Sequence, residues 1–290
     1  MADGRGRVHS VILVILSLAA AGLVAWVLWT GSDYYTTSLA ERPHHEDFRA
    51  MRPAGRVGHG LGILGSVMLV ALLIYSLRKR IRFMQRWGDL SVWLRYHIFL
   101  GVVGPIFITL HTSFKVDGLV AVSYWSMFAV ALSGVFGRYL YQQIPRNVLG
   151  ETLSSDDIES RNESTLVELS ETHGMGDQGM AALEKLALGP LENRPALVAL
   201  FMLPVVNMML ARQLQSEIVG FPRELGSEAL NLARIWVLQT RRLYLFHLIR
   251  DLFHWWHVFH KPFAFIMIFI MIVHVAVALA LGYTWEFGSQ

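Results

Sequence analysis

The sequence predicts an all-α integral membrane protein: a bundle of five membrane-spanning helices with a helical cytoplasmic insertion between the fourth and fifth spans. Three observations predict it. Five apolar runs approach or exceed the ~20 residues that a helix needs to cross a hydrocarbon layer. Of the 290 residues 54% are hydrophobic and only 16% charged, too few charges to clothe a soluble protein of this size. Basic residues gather at the ends of the apolar runs, as the distribution of Lys and Arg across membranes requires. The net charge of +3 carries no nucleic-acid signature. Cysteine is absent, which excludes c-type haem attachment, thiolate-held iron–sulfur clusters and disulfides within the chain.

The first apolar run, 11–30, follows Arg5 and Arg7. It exceeds the ~7–15 residues of a signal-peptide core and reads as a retained helix. A polar outer loop, 31–58, carries Arg42, His44, His45, Glu46, Asp47, Arg49, Arg52 and Arg56. The second span, 59–77, opens through Gly58, Gly60, Gly62 and Gly65, a density of small residues that signals close helix packing. Arg78, Lys79, Arg80, Arg82 and Arg86 then form the strongest basic cluster, which assigns this end to the cytoplasm. The third span is 91–113 and the fourth 119–141, ending at Arg138 and Arg146. Residues 1–141 thus hold the first four helices, 142–251 a helical cytoplasmic or interfacial segment, and 252–290 the fifth helix with a short outer tail.

Within the segment 142–251, Glu151, Asp156, Asp157, Glu159, Glu163, Glu168 and Glu171 read as a solvated helical face, with docking of a basic partner second. Residues 196–211 are apolar, interrupted by Pro204 and Asn207 and short for a span, so an interfacial or partly buried helix is expected. Residues 229–250, with Arg234, Arg241, Arg242 and Arg250 among aromatics and leucines, suit an amphipathic helix at the cytoplasmic surface. The last span, 252–283, is followed by Trp285, Glu286 and no basic residue. Five crossings put the amino terminus inside and the carboxyl terminus outside, with a prokaryotic cytoplasmic (inner) membrane as the expected location.

Two of the spans carry the same spacing. His97 and His111 lie 14 positions apart in the third, and His260 and His274 repeat that interval in the fifth. Fourteen residues turn a helix almost four times and advance it about 21 Å, so each pair shares a face near the two edges of a ~30 Å layer. Both helices run outward from the cytoplasm. His97 and His260 therefore lie at one depth, and His111 and His274 at the other. Two bis-histidine haem b sites, stacked across the membrane, follow as the expectation, since ionisable groups at depth are costly and usually functional. A hydrogen-bonded contact between helices explains a lone intramembrane histidine, but not four at matched spacing.

Gly101 and Gly104 leave room on the same face for a wide, flat group, and Arg95, Lys115 and Lys261 lie near enough in sequence to meet haem propionates. His59, at the outer start of the second helix, is a spare ligand, a propionate contact or part of a quinone pocket; a histidine bonded at a helix terminus explains it equally well. His257 rivals His260, although its 17-residue separation from His274 turns it to another face. Trp255 and Trp256 beside it suit an interfacial aromatic belt. His44 and His45 with Glu46 and Asp47 are a weak metal candidate, and His9, His173 and His247 read as ordinary surface residues.

Paired histidines on the third and fifth outward-running helices resemble the ferric-reductase-type membrane domain, shared by metalloreductases, NADPH oxidases and related bacterial haem subunits. The cytochrome b of quinol-oxidising bc complexes is similar in pattern. Carried onto matching positions, the resemblance implies that His97 and His260 ligate an inner haem and His111 and His274 an outer one. It covers the helical core only: 142–251 has no counterpart, and the sixth helix and flavin- and NADPH-binding module usual in that domain are missing here. No Gly-rich dinucleotide fingerprint occurs.

The expected function is therefore electron transfer across the membrane by a di-haem b subunit of an oxidoreductase complex. A quinone, or a partner flavoprotein, iron–sulfur protein or c-type cytochrome, would exchange the electrons; no catalytic residue of the chain's own is assigned. A haem-containing anchor of a peripheral oxidoreductase is the first alternative. A histidine-based transporter is the second, opposed by the absence of acidic residues from the cores of the third, fourth and fifth spans.

Overall fold

The computed structural model describes residues 2–144, 155–217 and 227–283. The outer tail with Trp285 and Glu286, and Arg146 and Glu151, lie outside the described residues. All described elements are helices: α1 (Ala2–Thr30), α2 (Ser32–Thr36), α3 (Phe48–Met51), α4 (Arg56–Arg80), α5 (Leu90–His111), α6 (Gly118–Gln143), α7 (Ser155–Glu171), α8 (Asp177–Leu188), α9 (Ala196–Glu217), α10 (Ser227–Tyr244) and α11 (Phe246–Ala280), with short 3-10 turns at Arg42–His44 and Met84–Arg86. Among the described residues five helices are long and apolar enough to cross a membrane, in α1, α4, α5, α6 and α11. The chain is thus an all-α membrane bundle. Each span shows large apolar side chains on its outside, among them Leu18, Val67, Val102, Leu132 and Phe265, which suits a hydrocarbon solvent.

The chain divides into two compact units, Met1–Val135 with Val258–Gln290, and Phe136–His257. In the first unit α4 and α5 make the most extensive helix pair. Small residues let them approach. A side-chain carbon on Gly65 would stand 2.8 Å from Ile108, and one on Gly62 2.6 Å from the ring of His111. Leu61, Phe107 and Leu110 bury against Val27 of α1, and Leu69, Met127, Met267 and Met271 close a second cluster with Ile108.

Arginines tie the loops of this unit to its helix ends. Arg42 is buried, donates from Nε to the Thr37 carbonyl at 2.9 Å and from Nη2 to the Tyr35 carbonyl at 2.7 Å, and reaches the Ser113 carbonyl with Nη1. Ser113 and Phe114 both take left-handed backbone (φ 49° and 60°), which costs non-glycine residues ~1–2 kcal/mol each. The Arg42 bond and a 2.9 Å bond from the Ser113 hydroxyl to the Met51 carbonyl hold that turn. Tyr35 donates to the Leu110 carbonyl, and burial pushes its phenol up to about 12, so it stays a donor. At the other end of α4, buried Arg78 donates to the carbonyls of Gln85, Trp87 and Gly88.

The second unit buries two clusters. One joins α7, α8, the end of α9 and α10 through Leu169, Leu183, Leu210 and Trp236. The other joins Leu140 of α6, Leu200 and Leu203 of α9, and Leu245 and Ile249. The amphipathic helix expected over 229–250 is two helices, since α10 ends at Tyr244 and α11 begins at Phe246. Nor is Arg241 at a surface. It is fully buried and donates to the Leu186 and Ala187 carbonyls at the end of α8 and to Asn207 of α9. The carbonyls of a helix end lack intrahelical donors, and a guanidinium supplies several.

Candidate histidine sites

Antiparallel packing sets the register of the histidines. Along α4 and α5 the neighbours run in opposite order: Gly62 with His111, Gly65 with Ile108, Leu69 with Gly104, Leu72 with Gly101, and Tyr75 with His97. Along α6 and α11 the Ser123 hydroxyl donates to the Met267 carbonyl at 2.9 Å, and Ser133 meets His260 at 2.8 Å. The short turn after His111 makes α6 antiparallel to α5, so α11 runs parallel to α5. Ile108 and Met271 share one cluster. His111 and His274 each follow three positions later, and His97 and His260 each precede by eleven. The equal 14-residue interval carries each histidine pair through the same rise along its own helix. His59 adjoins Gly58, whose carbonyl lies 2.9 Å from Nδ1 of His111.

Hydrogen bonds fix two of the rings. His111 donates from Nδ1 to the Gly58 carbonyl at 2.9 Å. The Ser133 hydroxyl lies 2.9 Å from the Val130 carbonyl and 2.8 Å from Nδ1 of His260, the direction of the second bond following the histidine tautomer. The His111 imidazole carries its proton on Nδ1, the tautomer a histidine that ligates through Nε2 takes. His97 packs tilted against Tyr75 at 4.9 Å between ring centres, and the Lys79 ammonium lies 4.6 Å from the centre of the Tyr75 ring. Its Nδ1 is buried without a hydrogen bond of ordinary geometry, although the Leu72 carbonyl lies nearby. His274 is exposed on the apolar outside of α11.

Gly101 and Gly104 serve a different purpose from the one expected of them. A carbon added to Gly104 would meet Leu69 at 3.3 Å and Met68 at 3.4 Å, and one on Gly101 would touch Leu72 at 3.9 Å. Their open faces are filled by α4. Without a hydrophobic drive between helices in lipid, small residues gain dispersion contact by close approach, and that use competes with room for a ligand. Arg95 is engaged with Ser10 of α1 at 2.8 Å, beside a 3.2 Å contact between His9 and Tyr96, whereas Lys115 and Lys261 are exposed. His257 donates to the Phe253 carbonyl at 2.9 Å and packs edge-on against Phe253 and Trp256, as a member of an aromatic belt would.

Among the described residues no group of three His, Cys, Asp or Glu could hold a bare metal ion, His44 to Asp47 included. A porphyrin iron asks less of the protein, because four of its six positions are filled by the macrocycle and two imidazoles complete it. By donor chemistry the four imidazoles suit that demand, whereas the face of Gly104 is taken by Leu69 and Met68. Ser133 and Tyr75 are the partners that sequence reading missed. A serine within an apolar span must satisfy its hydroxyl inside the protein, a signal that could have pointed to Ser133. No known protein family, curated protein or solved structure matches this chain.

Proposed function

We propose that this chain is the di-haem b subunit of a membrane oxidoreductase, moving electrons between a quinone pool or redox partner on one side of the bilayer and an acceptor on the other. The observation that carries the reading is the set of four histidines at one repeated 14-residue spacing on α5 and α11, with Nδ1 of His111 bonded to the Gly58 carbonyl and Nδ1 of His260 against the Ser133 hydroxyl. Bound haem would supply one-electron iron chemistry, and two imidazole ligands close it to oxygen. His97 and His260 are the inner pair, His111 and His274 the outer pair. Gly58 and Ser133 orient one histidine in each. Lys115 and Lys261 are exposed cations at the two edges that would meet propionates, and His59 would serve beside the outer pair as a propionate or quinone contact. The basic cluster at the end of α4 supports reading that end as cytoplasmic and the amino terminus as inside, in a prokaryotic cytoplasmic membrane on this reading. A flavoprotein, iron–sulfur protein or c-type cytochrome would complete the chain of carriers, since this one holds no cysteine.

Protein purified from membranes is expected to give a b-type reduced-minus-oxidised spectrum and about two haems per chain by pyridine haemochrome assay. A folded, haem-free preparation that takes up no added haemin would overturn the proposal. Ser133→Ala removes the hydroxyl beside His260 alone. It is expected to weaken haem retention ~10–100-fold at the inner site and to shift one of two reduction potentials, read by redox titration, while the other stays in place.

A further inference from the structure

The face of α9 that its own unit leaves uncovered is apolar throughout. Ala199, Leu200, Leu203, Val206 and Leu210 are buried on one side. On the other, Leu197, Phe201, Val205, Met208 and Met209 are exposed, Met208 by 75%. No charged residue occurs from Ala196 to Ala211, and the single amide there, Asn207, is bonded to Arg241. Exposed Arg194 and Arg212 bracket the stretch. What α9 packs against says what should cover it. Phe201 stacks on Phe136 and Tyr139, and the Tyr139 hydroxyl donates to the Leu200 carbonyl. Phe136 and Tyr139 belong to the apolar span of α6, and Ile249, in the same cluster as Leu200, belongs to that of α11. The bare face of α9 thereby adjoins, within its own unit, the last turns of α6 and the first turns of α11, two helices apolar enough to span.

We infer that the first half of α9 is embedded in the lipid of one leaflet, as a monotopic helix that enters the membrane without crossing it. Its apolar stretch, Ala196–Leu210, is about 22 Å long, short of a ~30 Å hydrocarbon core. A helix of that length, apolar over its outward face and ended by arginines, lies with its side chains among acyl chains and its cations at the headgroups. A water-facing surface would interrupt its apolar residues with polar ones, and between Arg194 and Arg212 the exposed side chains of α9 are apolar, Leu197, Phe201, Val205, Met208 and Met209 among them. The inference does not depend on haem, and needs only that α6 and α11 cross the bilayer.

The chain has no cysteine, so single-cysteine variants of the full protein report without background. Leu197→Cys, Val205→Cys and Met208→Cys in nanodiscs, with Val167→Cys of α7 as an equally exposed reference, are to be treated with a charged maleimide. The three α9 positions are expected to react at least ~10-fold more slowly than the reference, and nitroxides on them to relax with oxygen rather than with a water-soluble nickel chelate. Reaction as fast as at Val167→Cys would overturn the inference. So would slow reaction with a Met208→Cys dimer on mild oxidation, which assigns the face to a second copy. Shielding from oxygen and nickel alike would assign it to another protein and overturn it too.

Discussion

Arg241→Ala is expected to destabilise the unit Phe136–His257 by about 3–5 kcal/mol, a fall of roughly 10–20 °C in its melting temperature. The guanidinium is fully buried, with Nη2 at 2.7 Å from the Leu186 carbonyl, Nε at 3.1 Å from the Ala187 carbonyl and Nη1 at 2.8 Å from Asn207. Burial pushes its pKa down to about 10, which leaves it a cation at neutral pH. Its countercharge is the negative end of the α8 dipole. Truncation leaves two helix-end carbonyls and an amide buried without donors, and opens a cavity beneath them. Arg241→Lys keeps the charge but not the fork, and should fall between. Thermal unfolding in detergent, followed by protease sensitivity around α8 and α9, measures the loss. Melting of Arg241→Ala within 1–2 °C of the parent would mean that these bonds contribute little.

That arginine also shows where sequence reading stops. The spans were legible because a run of apolar side chains needs no partner to be recognised: lipid is the partner, and helix is the backbone form that satisfies itself there. Arg42, Arg78 and Arg241 were legible only as charge. Each instead donates to carbonyls of a loop or helix end that the fold brings to it, and no periodicity reports which carbonyls those will be. Reading 229–250 as one surface helix followed from the same blindness, because the pattern of arginines and leucines continues through Leu245, where α10 ends and α11 begins.

Glycine was ambiguous in a different way. The cluster at Gly58, Gly62 and Gly65 was read as a packing seam, and Gly62 and Gly65 do lie against α5. Gly101 and Gly104 were read as room for a cofactor, yet they are the opposite side of the same seam, under Leu72, Leu69 and Met68. A missing side chain says that something comes close, not what. The histidines are informative in another way: a 14-residue interval sets a shared face and a rise along one helix, whereas the neighbours each ring meets, α4 for His97 and His111, come only from the fold.

Pairing by depth makes a prediction that single replacements cannot test. His111→Ala is expected to lower haem content from about two to about one per chain, and His260→Ala to do the same. If His111 and His274 serve one iron, the double variant His111→Ala/His274→Ala removes nothing further, because the second ligand acts on a site already lost. The double variant His111→Ala/His260→Ala strikes two sites and should leave no haem. This is the non-additivity of partners against the additivity of independent positions, read in haem count instead of free energy. Crossed pairing reverses the outcomes: His111→Ala/His274→Ala would empty both sites and His111→Ala/His260→Ala would spare one. His59 supplies the sharpest check, because it adjoins Gly58, whose carbonyl lies 2.9 Å from Nδ1 of His111. If it replaces His274 as the ligand, His59→Ala rather than His274→Ala will share the phenotype of His111→Ala, and the outer site will lie between α4 and α5 instead of between α5 and α11.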